Sequence, residues 1–171
     1  MPRVIIEVEF KHRSLSQLAA HAAVLLGEPL VAAVLGFVVY RKWPDGTFAL
    51  LSVLFQCRPA TNVCYVSDLV SFGTRPLHAE VLQVVDGLPR LNANSPSPLR
   101  VLPSPSLPVP FVPTLQGHEP HAWAGQNTSI VVPGSAIFHH TVTAPAPPLP
   151  DMRVSLWTVL EETADVMREH S

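Results

Sequence analysis

Residues 2–18 read PRVIIEVEFKHRSLSQL and predict a strand that leads directly into a helix. Side chains of a strand alternate between its two faces, so Glu7, Glu9 and Lys11 share one face. Two carboxylates suit a hard divalent cation, and a lysine beside them suits an attacking water or a charged phosphate. The plainer interpretation is an edge strand whose two glutamates are neutralised by a neighbouring lysine.

The segment Glu9-Phe10-Lys11 matches the (D/E)-x-K half of the signature of PD-(D/E)XK nucleases. Residues 2–18 resemble in particular the putative restriction endonucleases of cyanobacteria and their distant fungal relatives. Those proteins read Pro, a variable residue, three apolar residues and Glu-Val, followed by Ser and a Leu-rich helix. This longer match places the family's strand glutamate at Glu7, whereas the three-residue signature places it at Glu9. Both glutamates are therefore candidate metal ligands.

The resemblance implies a restriction-endonuclease-like α/β core that hydrolyses DNA with Mg²⁺. Glu7 and Glu9 would bind the metal, and Lys11 would orient or deprotonate the attacking water. Arg3 stands where the bacterial relatives usually carry an aspartate ligand, and the aspartate that they bring from an upstream strand has no counterpart here. The sequence therefore predicts an incomplete amino terminus and a degenerate or truncated hydrolase.

Ser14 and Gln17 form a capping box at the start of the predicted helix. His21 follows Gln17 by one helical turn, and the pair is similar to the Gln-x-x-x-Tyr feature of the RecB-like branch of the superfamily. Both residues are therefore candidates to support the metal ligands. The simpler interpretation assigns Gln17 to the cap alone and His21 to an ordinary helix. The apolar stripe of this helix comprises Leu15, Leu18, Ala22, Leu25 and Leu26.

Residues 31–40 form a continuous apolar run, which predicts a strand buried on both faces and parallel to the first. A Trp-Pro-Asp-Gly turn at residues 43–46 and an apolar run at 47–56 then predict an antiparallel hairpin. Residues 63–70 are a fourth candidate strand. This order of strand, helix, strand and hairpin is also the order of the nuclease-like core.

Thirteen of the nineteen prolines lie between residues 95 and 150. Proline lacks an amide donor, so residues 95–113 are expected to be disordered or to form a polyproline-II arm. The sequence therefore predicts three units: a nuclease-like core (residues 1–94), a Pro-rich irregular arm (95–128), and a terminal unit (129–171). The terminal unit holds a short β segment, a Pro-rich tether and a helix. The helix is expected at residues 151–169, with a buried stripe of Leu156, Val159, Leu160, Thr163 and Val166.

The chain of 171 residues is 47% hydrophobic and only 14% charged, with a net charge of −2. Soluble domains carry about 25% charged residues, so this deficit suggests either much buried surface or a surface completed by another chain. The alternative function is therefore a protein-interaction domain that uses its apolar surface, its Pro-rich arm and its terminal helix. Its partner would be another protein or a second copy, whereas DNA would be the partner of an active nuclease.

Cys57 and Cys64 fit facing positions of a hairpin, which permits a disulfide in an oxidising compartment, although reduced thiols are expected. The sequence shows neither a signal-peptide pattern nor an uninterrupted apolar span of membrane length. The expected location is intracellular, cytoplasmic or nuclear, with no membrane association. The paired histidines at 118 and 121 and at 139 and 140 lack a third ligand fixed by spacing, which disfavours a zinc site.

Overall fold

The computed structural model describes residues 3–10, 14–40, 43–58, 63–89, 99–104, 123–137 and 150–169. These residues form an α/β structure with a mixed five-stranded sheet, a two-stranded sheet and four helices. In chain order the elements are β1 (Val4–Phe10), α1 (Leu15–Leu26), β2 (Ala33–Tyr40), β3 (Ala49–Arg58), β4 (Val63–Gly73), α2 (Ala79–Asp86), β5 (Leu99–Val101), β6 (Ser129–Val132), α3 (Gly134–Ile137), β7 (Met152–Ser155) and α4 (Leu156–Glu169).

The larger sheet has the strand order β1-β2-β3-β4-β5. Strands β1 and β2 are parallel, β2, β3 and β4 form an antiparallel meander, and β5 returns parallel to β4. The predicted strand-helix-strand unit and the hairpin after it are therefore confirmed. Strand β3 lies two residues later than predicted, and β4 continues three residues further.

The first helix begins where the capping box predicts. The Ser14 hydroxyl accepts a hydrogen bond from the Gln17 amide at 3.3 Å, and the Gln17 side-chain oxygen accepts one from the Ser14 amide at 2.8 Å. Four members of the predicted apolar stripe are buried, while Leu25 is half-buried. The helix packs its Leu18 side chain against β2 at Gly36, where an added Cβ would lie 2.7 Å from a Leu18 methyl carbon.

The central strands of the larger sheet are buried on both faces, and the described residues form two hydrophobic clusters. One cluster lies between the sheet and helices α1 and α2. The other lies between the opposite face and the second sheet with helices α3 and α4. Alternate residues of β2 contribute to the two clusters, with Val34 and Val38 toward α1 and Leu35 and Phe37 toward α4. The predicted burial of both faces of this strand is confirmed.

The carboxyl-terminal segment differs from its prediction as one continuous helix. Residues Met152–Ser155 form strand β7, which pairs antiparallel with β6, and the helix begins at Leu156. Pairing with β6 stabilises a four-residue strand that the local helical pattern does not reveal. The Ser155 hydroxyl caps the helix by accepting from the Thr158 amide at 3.3 Å. Asp151 instead accepts from the Gly134 amide at 2.9 Å.

The buried side of α4 also differs from the predicted stripe. Leu156, Leu160 and Thr163 are buried as predicted, but Val159 is half-buried and Val166 is 39% exposed. Trp157 and Ala164 are buried as well. The helix therefore presents part of its apolar surface to solvent, beside the first strand of the sheet.

The proline-rich region contains structure that its composition does not predict. Leu99–Val101 forms strand β5 at the edge of the sheet, inside the segment expected to be irregular. This strand needs only three residues, and they lie between Pro98 and Pro103, so no proline interrupts its pairing with β4. Residues 105–122 and 138–149, which hold most of the predicted arm and tether, lie outside the described residues.

Cys57 and Cys64 lie directly opposite each other on β3 and β4, as the spacing predicts, and are joined by a disulfide. The expectation of reduced thiols was therefore wrong for this structure, because the pairing register brings the two Cα atoms to 4.0 Å. None of the helices in the described ranges combines the length and the apolar character required to cross a membrane.

Candidate active site on strand β1

The period-two pattern of β1 divides its side chains between two different environments. Ile5 packs with the cluster under α1, and Glu7 and Glu9 lie on that same face of the strand. Ile6 and Val8 lie on the opposite face and are 54% and 53% exposed. Both glutamates are half-buried. Glu7 and Glu9 therefore lie on one face of the strand, as predicted.

The carboxylate of Glu7 approaches the imidazole of His21 on helix α1. The distance between Glu7 Oε1 and His21 Nε2 is 3.7 Å, and the two side chains are 26% and 35% exposed. This contact is an ion pair only when the imidazole is protonated. It places an acid and a titratable base in one half-buried space between β1 and α1, which is the kind of environment that supports metal or proton chemistry.

The side chain of Gln17 has a structural role at the start of helix α1. Its amide oxygen accepts the Ser14 amide hydrogen, so the capping box holds it at the start of α1. The simple interpretation of Gln17 is thus the one that the hydrogen bonds support. His21 differs, since its contact with Glu7 gives it a position beside the candidate acids.

Lys11 lies outside the described residues, as do the histidine pairs at 118 and 121 and at 139 and 140. The convergence of Lys11 with the two glutamates therefore stays a prediction. Among the residues that are described, no group of three or more His, Cys, Asp or Glu side chains is placed to hold a metal ion. Any cation bound here would take two protein carboxylates at most from this part of the chain.

Two other acids of the described residues, Asp45 and Asp68, bind partners away from strand β1. Asp45 accepts hydrogen bonds from the Thr47 hydroxyl at 2.6 Å and the Thr47 amide at 3.0 Å, and these bonds lower the pKa of Asp45. Asp68 forms a two-point ion pair with Arg100, with N–O distances of 2.8 and 3.2 Å. Neither acid joins Glu7 and Glu9.

Sequence reasoning missed an apolar groove on the other face of β1. The groove has a volume of about 340 Å³ and lies between the first two strands and helix α4. Its lining includes Ile6 and Val8 from β1, Phe37 from β2, and Val159 and Val166 from α4. The sequence indicates an apolar face of β1, because the even-numbered residues of this strand are all apolar. Which of these residues are exposed depends on the position of helix α4.

Comparisons of the chain with protein-family models, with curated proteins and with solved structures found no match. The geometry of β1 and its neighbours is therefore the basis for a functional proposal.

Proposed function

We propose that this chain is a Mg²⁺-dependent phosphodiester hydrolase of the restriction-endonuclease-like type, with DNA as its substrate. The observation that carries the proposal is the half-buried pair of glutamates, Glu7 and Glu9, on one face of β1, with the His21 imidazole 3.7 Å from Glu7. The resemblance of residues 2–18 to PD-(D/E)XK nucleases supports the same assignment.

The position of the pair within the fold supports the proposal further. Glu7 is the central residue of β1, and Glu9 lies one residue before its carboxyl end. Strand β1 is parallel to β2, and helix α1 connects the two. Ligands of α/β proteins bind preferentially beyond the carboxyl ends of parallel strands. Helix α1 begins at this end of β1, and its capping box fixes the first turn. A substrate phosphate at this end would lie within reach of both acids.

The donor set fits magnesium. This ion prefers oxygen ligands, keeps several waters and commonly takes one or two protein carboxylates together with substrate phosphates. When bound, it polarises the phosphoryl group and offsets the charge that develops there. Glu7 and Glu9 supply the carboxylate oxygens, and a third protein ligand is not required.

The remaining residues have supporting roles in this proposal. In its charged form Lys11 orients the attacking water and favours the negatively charged phosphodiester, and only in its neutral form does it accept the proton of that water. His21 holds the Glu7 carboxylate from the side of α1 when its imidazole is protonated. Gln17 acts indirectly, because its hydrogen bond in the capping box positions the helix that carries His21.

The experiment that tests the metal site is calorimetric titration with Mn²⁺, a probe for the magnesium site, on wild type, Glu7→Gln and Glu9→Gln. Loss of an outer-shell partner weakens metal sites by about 10–100-fold, so loss of a carboxylate ligand is expected to weaken Mn²⁺ binding by roughly tenfold or more. Glu28→Gln, which changes an exposed glutamate after α1, is the matched control. Equal affinities for all four proteins, with unchanged circular dichroism, would overturn the proposal.

A further inference from the structure

The outer edge of β1 is a surface that the proposed hydrolase does not use. Strand β1 is the first strand of the five-stranded sheet, and no strand among the described residues pairs with its outer side. Two large apolar side chains of this strand, Ile6 and Val8, are 54% and 53% exposed. Seven residues of edge strand with exposed apolar side chains form a template for pairing with another strand.

The hydrogen bonds at the start of β1 show which backbone groups face outward. The carbonyl oxygen of Arg3 accepts from the amides of Ala32 and Ala33 at 2.7 and 3.1 Å, so this group points toward β2. Backbone groups alternate in direction along a strand, so those of Ile5, Glu7 and Glu9 also point toward β2. The N–H and C=O groups of the even-numbered residues between them therefore point outward; these residues are Val4, Ile6 and Val8.

We propose that a second copy of this chain pairs with this edge, β1 against β1 in antiparallel orientation, with Ile6 at the two-fold axis. An edge that pairs with itself gives a closed symmetric dimer, the commonest form of homo-oligomer. In this register Ile6 exchanges both backbone hydrogen bonds with Ile6 of the second copy, and Val4 does so with Val8. The two five-stranded sheets become one continuous sheet. This inference goes beyond the proposed hydrolase and does not depend on it.

Charge complementarity selects this register over its neighbours. With Ile6 at the axis, Arg3 of each copy lies opposite Glu9 of the other, and Glu7 lies opposite Ile5. With Glu7 at the axis, the two Glu7 side chains would face each other. With Val8 at the axis, Glu7 would face Glu9 twice. With Ile5 at the axis, Arg3 would face Glu7, but only residues 4–6 of β1 would pair. Opposite charges across a strand pair stabilise it and like charges destabilise it, so the Ile6 register, which pairs residues 4–8, is the longest one with favourable charges.

The apolar face of β1 supports the same arrangement. Ile6 and Val8 border the groove under α4, which has a volume of about 340 Å³. Pairing places Val4, Ile6 and Val8 of the second copy beside them on the same face, which removes apolar surface of both chains from water. On the opposite face, Arg3 of each copy comes next to the acidic pair of the other and adds a cation beside the proposed phosphodiester site.

The first test is the mass of the full chain in solution, measured by size-exclusion chromatography with light scattering over a concentration series. The expected result is a species with twice the 18.6 kDa of one chain. Ile6→Lys places two ammonium groups at the axis and is expected to give a monomer. Val24→Lys is the matched control, because Val24 is 69% exposed on α1, and it is expected to remain dimeric. A wild-type monomer at every concentration, or a dimer of Ile6→Lys, would overturn the proposal.

The second test is the register, measured by disulfide cross-linking of single-cysteine variants. The two native cysteines are joined to each other, so an introduced thiol is the reactive one. Hydrogen-bonded antiparallel pairs place Cα atoms about 5.5 Å apart, within the range that a disulfide spans. Ile6→Cys is expected to cross-link with itself, whereas Glu7→Cys is not. Efficient cross-linking of Glu7→Cys without that of Ile6→Cys would contradict the Ile6 register.

A charge exchange tests the same register without a new covalent bond. Arg3→Glu and Glu9→Arg each place like charges opposite one another and are expected to shift the dimer toward monomer. The double variant restores opposite charges and is expected to recover the dimer. Failure of the double variant to recover, while both single variants dissociate and retain their circular dichroism, would exclude the pairing of Arg3 with Glu9.

Discussion

Arg100 and Asp68 form a two-point ion pair that joins strand β5 to strand β4, with N–O distances of 2.8 and 3.2 Å. The same guanidinium donates to the carbonyl oxygens of Asn127 and Ser129, the latter at 3.0 Å, and so reaches the start of β6. The side chains of Asp68 and Arg100 are 24% and 29% exposed, respectively. One side chain therefore connects the edge of the larger sheet with the second sheet.

Removal of this guanidinium is expected to destabilise the fold. Arg100→Ala removes the guanidinium donors from two carbonyls and from the partly buried Asp68 carboxylate, which keeps only the Leu69 amide as a donor. This loss is expected to cost about 1–3 kcal/mol in the free energy of unfolding. Urea denaturation measures this difference. Arg75→Ala is the control, because Arg75 lies 3.7 Å from Asp45 in an exposed pair, and its loss is expected to cost at most about 1 kcal/mol. Equal losses for the two variants would contradict the connecting role of Arg100.

The contact of Leu18 with Gly36 predicts a non-additive pair of substitutions. An added Cβ at Gly36 would meet a Leu18 methyl carbon at 2.7 Å, so Gly36→Ala is expected to lower stability by about 1–3 kcal/mol through overpacking. Leu18→Ala alone is expected to cost about 2–5 kcal/mol. The double variant should lose less than the sum of the two, as measured by thermal or urea unfolding. Additive losses would show that the two side chains do not compete for this space.

The sequence predicted the first forty residues well, because each feature there is local. The alternation of β1, the capping box at Ser14 and the apolar run of β2 each specify one element without reference to distant residues. The four-residue strand β7 escaped prediction because it depends on pairing with β6, about twenty residues earlier. Strand β5 was not predicted for the same reason. Its three residues form a strand only by pairing with β4, and the proline-rich composition around them predicts irregular structure.

The candidate site was predicted in part. The common face of Glu7 and Glu9 follows from the period of a strand, and the structure places them so. The contact of His21 with Glu7 requires the packing angle of α1 on β1, which no sequence period specifies. Lys11 lies outside the described residues, and its approach to the two acids remains a prediction. The exposure of Ile6 and Val8 was not predicted, because it depends on how much of the sheet helix α4 covers.

Because Cys57 and Cys64 form a disulfide, we expect the stability of the protein to depend on redox conditions. The loop that the disulfide closes is short, so the entropy model of a cross-linked unfolded chain gives about 2–3 kcal/mol of stabilisation. Dithiothreitol is expected to lower the urea midpoint of wild type. The Cys57→Ser/Cys64→Ser variant provides the control, since its midpoint should be lower from the outset and should not respond to dithiothreitol. A wild-type midpoint that is unchanged on complete reduction would contradict this expectation.

Tyr40 predicts a loss of stability at alkaline pH. Burial raises the pKa of the Tyr40 hydroxyl to about 12. The unfolded chain ionises this group near its ordinary pKa of about 10. The contribution of Tyr40 is therefore complete below pH 10 and is lost as the pH rises from about 10 to 12. Since the side chain is partly exposed, the loss is expected to be about 1–2 kcal/mol.

Tyr40→Phe isolates this contribution from the other groups that titrate at high pH. The hydroxyl is buried and has no hydrogen-bond partner among the described residues, so its removal is expected to leave stability at neutral pH unchanged or to raise it by up to about 1 kcal/mol. Urea unfolding at several pH values between 8 and 12 should show a smaller decline for the variant than for wild type. Parallel declines of the two proteins would show that Tyr40 does not titrate with a raised pKa.

The rate at which the purified full chain nicks supercoiled plasmid DNA in Mg²⁺ tests the hydrolase proposal most directly. Wild type is expected to convert the plasmid to open-circular and linear forms, and chelation of the metal should stop the reaction. Glu9→Gln and Lys11→Ala are expected to slow it by roughly 100-fold or more, as general acid–base and ligand losses do. Absence of cleavage by wild type in both Mg²⁺ and Mn²⁺, or equal rates for wild type and Glu9→Gln, would contradict the proposal.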